Sequence, residues 1–194
     1  MDLTQASYKE KNARAKKMML WFAIISLSMG FAGWTSAYIV SSSREDWLKD
    51  FELPSAFFIS TVLIIISSLT YVWAKNALKK GMSQQVSLAL AITLLLGLAF
   101  IIMQFQGFGQ LIGQGFYFTG ETSNITMSYI YLIAAVHILH VVAGLISLLV
   151  VLVQQLRGKY SPDNMLGFEL GATFWHFLGV LWLYLILFFH FYRP

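Results

Sequence analysis

The sequence has 194 residues, 58% of them hydrophobic and 11% charged, with a formal net charge of +4 and a mean hydropathy of +0.68. A soluble domain usually carries about 25% charged residues, so this composition excludes one and requires lipid as the main solvent. The basic residues stand in short clusters beside apolar runs, which sets membrane topology and argues against nucleic acid as a partner; with no cysteine, disulfides, thiolate metal sites, iron–sulfur clusters and thiol chemistry drop out too.

Residues 1–17 read as a basic tail holding Lys9, Lys11, Arg14, Lys16 and Lys17. The first apolar run, 18–40, is too long for a signal-peptide core and no small-residue cleavage site follows it, so no cleaved signal is expected. Gly30, Gly33 and Ala37 lie along one face of this run, at a spacing that lets helix backbones approach. The connector SSSREDWLKDFELP is acidic on balance and is expected at the interface, with Trp47 and Phe51 toward the headgroups. The second run, 54–74, opens on Pro54, whose missing N–H costs nothing in a first helical turn.

Lys75, Lys79 and Lys80 lead into the third run, 86–106. The next connector, GFGQLIGQGFYFTGETSN, is rich in glycine and aromatics and nearly uncharged. A mobile loop would be more polar, so it is expected to pack on the bundle or against a partner. The fourth run, 126–153, contains HILH, with His137 and His140 one turn apart, and Gly144 beyond them. Arg157 and Lys159 precede the fifth run, 168–192, where Gly167 and Gly171 are spaced as GxxxG. Tyr38, Tyr71, Trp73 and Tyr192 stand near run ends and read as interfacial anchors.

A hydrocarbon core of about 30 Å takes about 20 helical residues, so each run can cross it. The expected fold is all-α: a polytopic bundle of five transmembrane helices forming a single membrane domain, 18–194. Ten basic residues fall on the side of the tail and the second and fourth connectors, against Arg44, Lys49 and Arg193 on the other. The positive-inside rule then puts the N-terminus inside and the C-terminus outside.

No Asp or Glu lies in the middle of a run; Glu169 sits at the start of the fifth. Proton and ion pumps leave buried carboxylates or cations along their paths, and a Ser/His/Asp arrangement and a carboxylate-rich metal site are also missing. The four histidines remain. His176 and His190 are about 21 Å apart along one helix, a spacing for two stacked haems that His137 and His140 do not match. Three readings stay open: imidazoles hydrogen-bonding neighbouring helices, a metal or a single haem b held by His140 and His176, or a proton relay.

The fourth and fifth runs carry more than composition. SYIYLIAAVHILHVVAGLI resembles the H-x-x-H-x-x-x-G element of subunit III of haem–copper terminal oxidases, formed here by His137, His140 and Gly144. FELGATFWHFLGVLWLYL resembles the same family's E-x(5)-W-H-F-x-x-x-x-W element, with Glu169, Trp175, His176 and Trp182 at its positions. The chain resembles the shorter, five-helix bacterial form over 18–192. That resemblance implies a non-catalytic core subunit of a cytochrome c or quinol oxidase in the bacterial inner membrane. It implies no cofactor or metal on this chain, with haems and copper held by subunits I and II, and bound phospholipid with support for proton uptake. The resemblance is compatible with membership of a larger respiratory supercomplex, which the sequence does not decide. Two positions depart from the family pattern: Met29 follows Ser28 where the family has Ser-Glu, and Gly179 replaces the acid after W-H-F. Against this reading stand a small haem-b cytochrome and a membrane scaffold or assembly protein.

Overall fold

A computed structural model of the chain describes residues 8–48, 51–120 and 123–192. Lys49, Arg193 and residues 1–7 of the basic tail lie outside the described residues. Among the described residues, five helices are long and apolar enough to cross a membrane: α1 (Tyr8–Ser41), α2 (Ser55–Lys79), α3 (Ser83–Gly113), α4 (Ile125–Leu156) and α5 (Leu166–Phe191). The all-α expectation holds, because no polar break interrupts any run and burying backbone polar groups in lipid favours the helix.

Helix ends follow local chemistry. Gly81, Gly115 and Gly158 take positive φ of 74°, 86° and 67° just past α2, α3 and α4, a conformation open to glycine. Asn124 caps α4 by accepting a bond from the Thr126 amide at 2.8 Å. Two helices outrun the apolar runs. α1 starts at Tyr8, so most of the basic tail is helical, and α3 continues through Gly107 to Gly113. The glycines that marked a connector are thus partly helical, and Gly107 is needed there: a Cβ would lie 2.3 Å from the Phe57 ring.

α2, α3, α4 and α5 close into a ring in that order, with the α2–α3 hairpin its most extensive pair. α1 leans on α4 and α5 and does not approach α2 or α3. The ring encloses Trp175, Trp182, Phe57, Phe100, Phe168 and Phe189, all buried. Large apolar side chains such as Leu95, Leu139 and Val180 face outward, where lipid solvates them as well as a core would.

Several expected interfacial side chains are instead part of this core. Tyr38 and Tyr71 are buried, while Trp73 keeps its outward position at 41% exposure and Tyr192 is half-buried. Trp47 and Phe51 are buried as well, at 5% and 6% exposure. The Trp47 ring meets Tyr38 edge-on at 4.7 Å, a favoured aromatic geometry. Its connector is tied down on α4: the Leu48 amide donates to Thr126 Oγ1 at 2.9 Å and Asn124 Nδ2 to the Asp46 carbonyl at 2.9 Å. On the same connector the hydrogen-bonded Arg44 guanidinium holds the Asp46 carboxyl below its ordinary range.

Candidate functional site

The polar residues singled out from sequence fall in three layers along the bundle. In the central layer, α4 brings His137 inward, fully buried, with its ring stacked on Trp182 at 5.3 Å and 23°. Phe31 of α1 and Phe100 of α3 meet His137 edge-on at 6.2 and 6.1 Å. Neither ring nitrogen of His137 has a hydrogen-bond partner among the described residues. His140, one turn on, meets Phe31 at 5.8 Å, and its Nδ1 donates to the Val136 carbonyl of its own helix at 2.7 Å.

His176 points elsewhere. It is half-buried at the α2–α5 boundary, 5.8 Å from the Tyr71 ring, and lines an outward groove with Ser68 and Gly179. His140 and His176 therefore share no aromatic neighbour: one turns toward α1, the other toward α2. His190 is exposed near the end of α5, edge-on to Phe58.

The interhelical bonds expected of the imidazoles come from the indoles. Trp175 Nε1 donates to Ser67 Oγ at 3.1 Å, and Trp182 Nε1 to Thr61 Oγ1 at 3.0 Å. Both bonds tie α5 to α2. The imidazoles fail to do this because His140 is close enough to satisfy its own helix and His137 is walled by rings. Further ties join α2 to α3 through Gln104 Nε2 and Ser60 Oγ at 2.8 Å, and through Thr70 and Thr93 at 2.8 Å. Thr35 with Tyr184, and Ser41 with Tyr129, each at 2.9 Å, hold α1 to α5 and α4.

Glycines set how closely the helices approach. A Cβ on Gly144 would come within 2.6 Å of Leu178, and one on Gly171 within 2.9 Å of the Tyr71 hydroxyl. Gly30 and Gly33 differ: nothing lies within 4 Å of their Cβ positions, so the small-residue face of α1 looks away from this bundle. Met29 shares that outward aspect at 71% exposure. Gly179 is buried, and a Cβ there would meet Ser68 Oγ at 3.3 Å.

At the end where α5 begins, Glu169 joins three helices. Its carboxylate takes Lys17 of α1 at 3.1 Å and Lys75 of α2 at 3.5 Å. The acid sits in the first turn of α5, where the helix dipole also favours negative charge.

Sequence reasoning missed the acceptors of the two indoles and the close contacts at Gly107 and at Gly97, where a Cβ would lie 2.6 Å from the Trp175 ring. A signal existed. Trp175 and Trp182 are seven apart on α5, and repeats of seven return to one helix face; their acceptors Ser67 and Thr61 are six apart on α2. Chemically, this arrangement fixes helix rotation and separation. No group of three or more His, Cys, Asp or Glu that could hold a metal occurs among the described residues.

Comparison with known proteins bears on this site. The family profile described as "Cytochrome c oxidase subunit III" matches residues 17–193. The chain is 33% identical over 141 residues to "Cytochrome c oxidase subunit 3" of Papio hamadryas, covering 71% of this chain and 49% of the relative. It has the same 33% identity, over 141 residues, to the protein of that name from Danio rerio, again 71% of this chain and 49% of the relative. To "Cytochrome bo(3) ubiquinol oxidase subunit 3" of Pseudomonas aeruginosa it is 35% identical over 133 residues, 69% of this chain and 62% of that one. The chain spans about half the length of the first curated relatives it matches.

Proposed function

The chain belongs to the cytochrome c oxidase subunit III family, and from that premise we propose that it serves as a non-catalytic core subunit of a haem–copper terminal oxidase. It packs beside the subunits that hold the haems and copper, stabilises them, binds phospholipid and supports proton uptake. It sits in the bacterial inner membrane, N-terminus inside and C-terminus outside, with residues 18–194 as one membrane domain. The electron donor, cytochrome c or quinol, docks on other subunits.

The observation that carries this reading is the continuity of the family match through all five helices. The placement of Trp175 and Trp182 supports it: both motif tryptophans are buried struts bonded to α2, as suits a structural subunit. His137, His140, Gly144 and Glu169 act in the same way, as packing and bridging elements, with Met29 and Gly179 as positions where a family acid has been given up.

The test is gentle solubilisation of membranes containing the tagged chain, followed by identification of co-purifying proteins and a reduced-minus-oxidised spectrum. Haem–copper subunits should come with it, and the chain separated from them should carry no haem band. A stoichiometric haem on the isolated chain, or recovery without any oxidase subunit, would overturn the reading.

A further inference from the structure

The outward face of α5 lies in a groove walled by α1 and α2, which do not approach one another. Its floor runs through Glu169, Thr173, His176, Val180, Leu183 and Leu187. The steps alternate between four and three residues, which is the seam that packs against a second helix at a shallow crossing angle. Val180 and Leu187 are 64% and 51% exposed, so nothing among the described residues covers the seam. The central part, lined by Ser68, His176 and Gly179, has a volume of about 210 Å³.

His176 lies seven residues past the charged Glu169 layer, about 10 Å along the axis and therefore inside a hydrocarbon core of about 30 Å. Its imidazole faces the groove with no hydrogen-bond partner among the described residues. Thr173 and Ser68, which line the same groove, have none either. Thr61, Ser67 and Thr70 of α2, by contrast, each bond a backbone carbonyl. An acyl chain offers no donor or acceptor, and polar side chains at this depth face protein or water. The mouth of the groove holds Lys17 and Lys75 around the Glu169 carboxylate, with Glu10 and Asp163 on the adjoining hollow.

We propose that this groove receives a transmembrane helix of a partner subunit, antiparallel to α5, whose polar side chain hydrogen-bonds His176 inside the membrane. The orientation follows from the mouth. α5 begins there, so an antiparallel helix ends there and brings its C-terminal carbonyls, worth about half a negative charge, to the two lysines. The inference rests on the oxidase-subunit reading and deepens it by naming the face that is buried.

The experiment places a photo-activated cross-linking residue at Val180, at Leu187 and, as a control, at outward-facing Leu95 of α3, in the intact complex. Both α5 positions should join a single transmembrane segment of a partner subunit, and Leu95 should not reach that segment. Adducts only with lipid, or with a second copy of this chain, at Val180 and Leu187 would overturn the proposal while leaving co-purification intact. Loss of co-purification with the unsubstituted chain would remove the oxidase reading itself. In parallel, His176→Leu should weaken retention through detergent washes by roughly threefold, the worth of an average interhelical bond of about 0.6 kcal/mol. His176→Gln should restore most of it. Equal retention of the His176→Leu and unsubstituted chains would count against the proposed bond.

Discussion

His137 lies stacked on Trp182, their ring centroids 5.3 Å apart and their planes within 23°, while both imidazole nitrogens go without a hydrogen bond among the described residues. The histidine of the fourth helix therefore contributes to the core as a flat ring. An unmade bond costs about 1–3 kcal/mol in a buried site, so removing the polar atoms while keeping the shape relieves a penalty. His137→Phe is expected to leave thermal stability in detergent unchanged or raise it by about 1 kcal/mol. A loss of more than that would reveal a hidden polar partner.

Gly107 and Gly30 are both helical, yet they predict opposite responses to one added methyl. At Gly107 it would strike the buried Phe57 ring at 2.3 Å; at Gly30 it meets open space. Gly107→Ala should cost about 1–3 kcal/mol by overpacking, read as a drop in melting temperature. Gly30→Ala should melt with the unsubstituted chain, or slightly above it, because alanine favours the helix.

The two indole bonds between α5 and α2 are open to a double-mutant cycle. Trp175→Phe and Ser67→Ala each remove the 3.1 Å bond, and the pair should couple by about 0.6 kcal/mol, the average for such bonds within bundles. Trp182→Phe with Ala at Thr61 should behave alike. Strict additivity in both cycles would show the bonds to be idle.

Glu169→Gln removes the charge that Lys17 and Lys75 share. The side chains are about one-third to one-half exposed, so solvent screens the pairs and the loss should stay below about 1 kcal/mol. It should shrink further as salt rises, since screening lengths fall to about 3 Å at 1 M. Melting curves at low and high salt, compared between the two chains, check this.

Met29 follows Ser28 where the sequence resemblance leads one to expect an acid, and its side chain is 71% exposed on the outer face of α1. Met29→Glu would set a carboxyl toward lipid, away from the ring of helices. On the proposed oxidase role, turnover and proton uptake of the complex should not change on restoring this acid. A strong dependence of either on the new carboxyl would contradict that expectation.

The sequence made the helices legible because lipid imposes one rule on every residue of a span, and runs of apolar residues report it directly. It also located Trp175 and Trp182, through the motif spacing. It misread Trp47, Phe51, Tyr38 and Tyr71 as facing the membrane surface, because an aromatic residue at a span end suits a headgroup and a packed aromatic cluster equally well. Position along the chain fixes depth in the bilayer, while burial depends on which side of the helix a neighbour occupies. The same gap explains the glycines. Gly30, Gly33 and Gly107 look alike in a sequence, and only the rotation of each helix separates open faces from the one pressed on Phe57.

The lean of α1 on α4 and α5 has a consequence for biosynthesis. α1 emerges first of the five helices, but its bonded partners Tyr129, Glu169 and Tyr184 lie 88, 152 and 149 residues beyond the residues they bond. At about 5–20 residues per second of synthesis, α1 waits in the bilayer on the order of ten seconds for α5. During that interval the α2–α3 hairpin, joined by the single turn at Gly81, can already zip together. Of these five helices, the earliest made completes its contacts only once the latest has emerged.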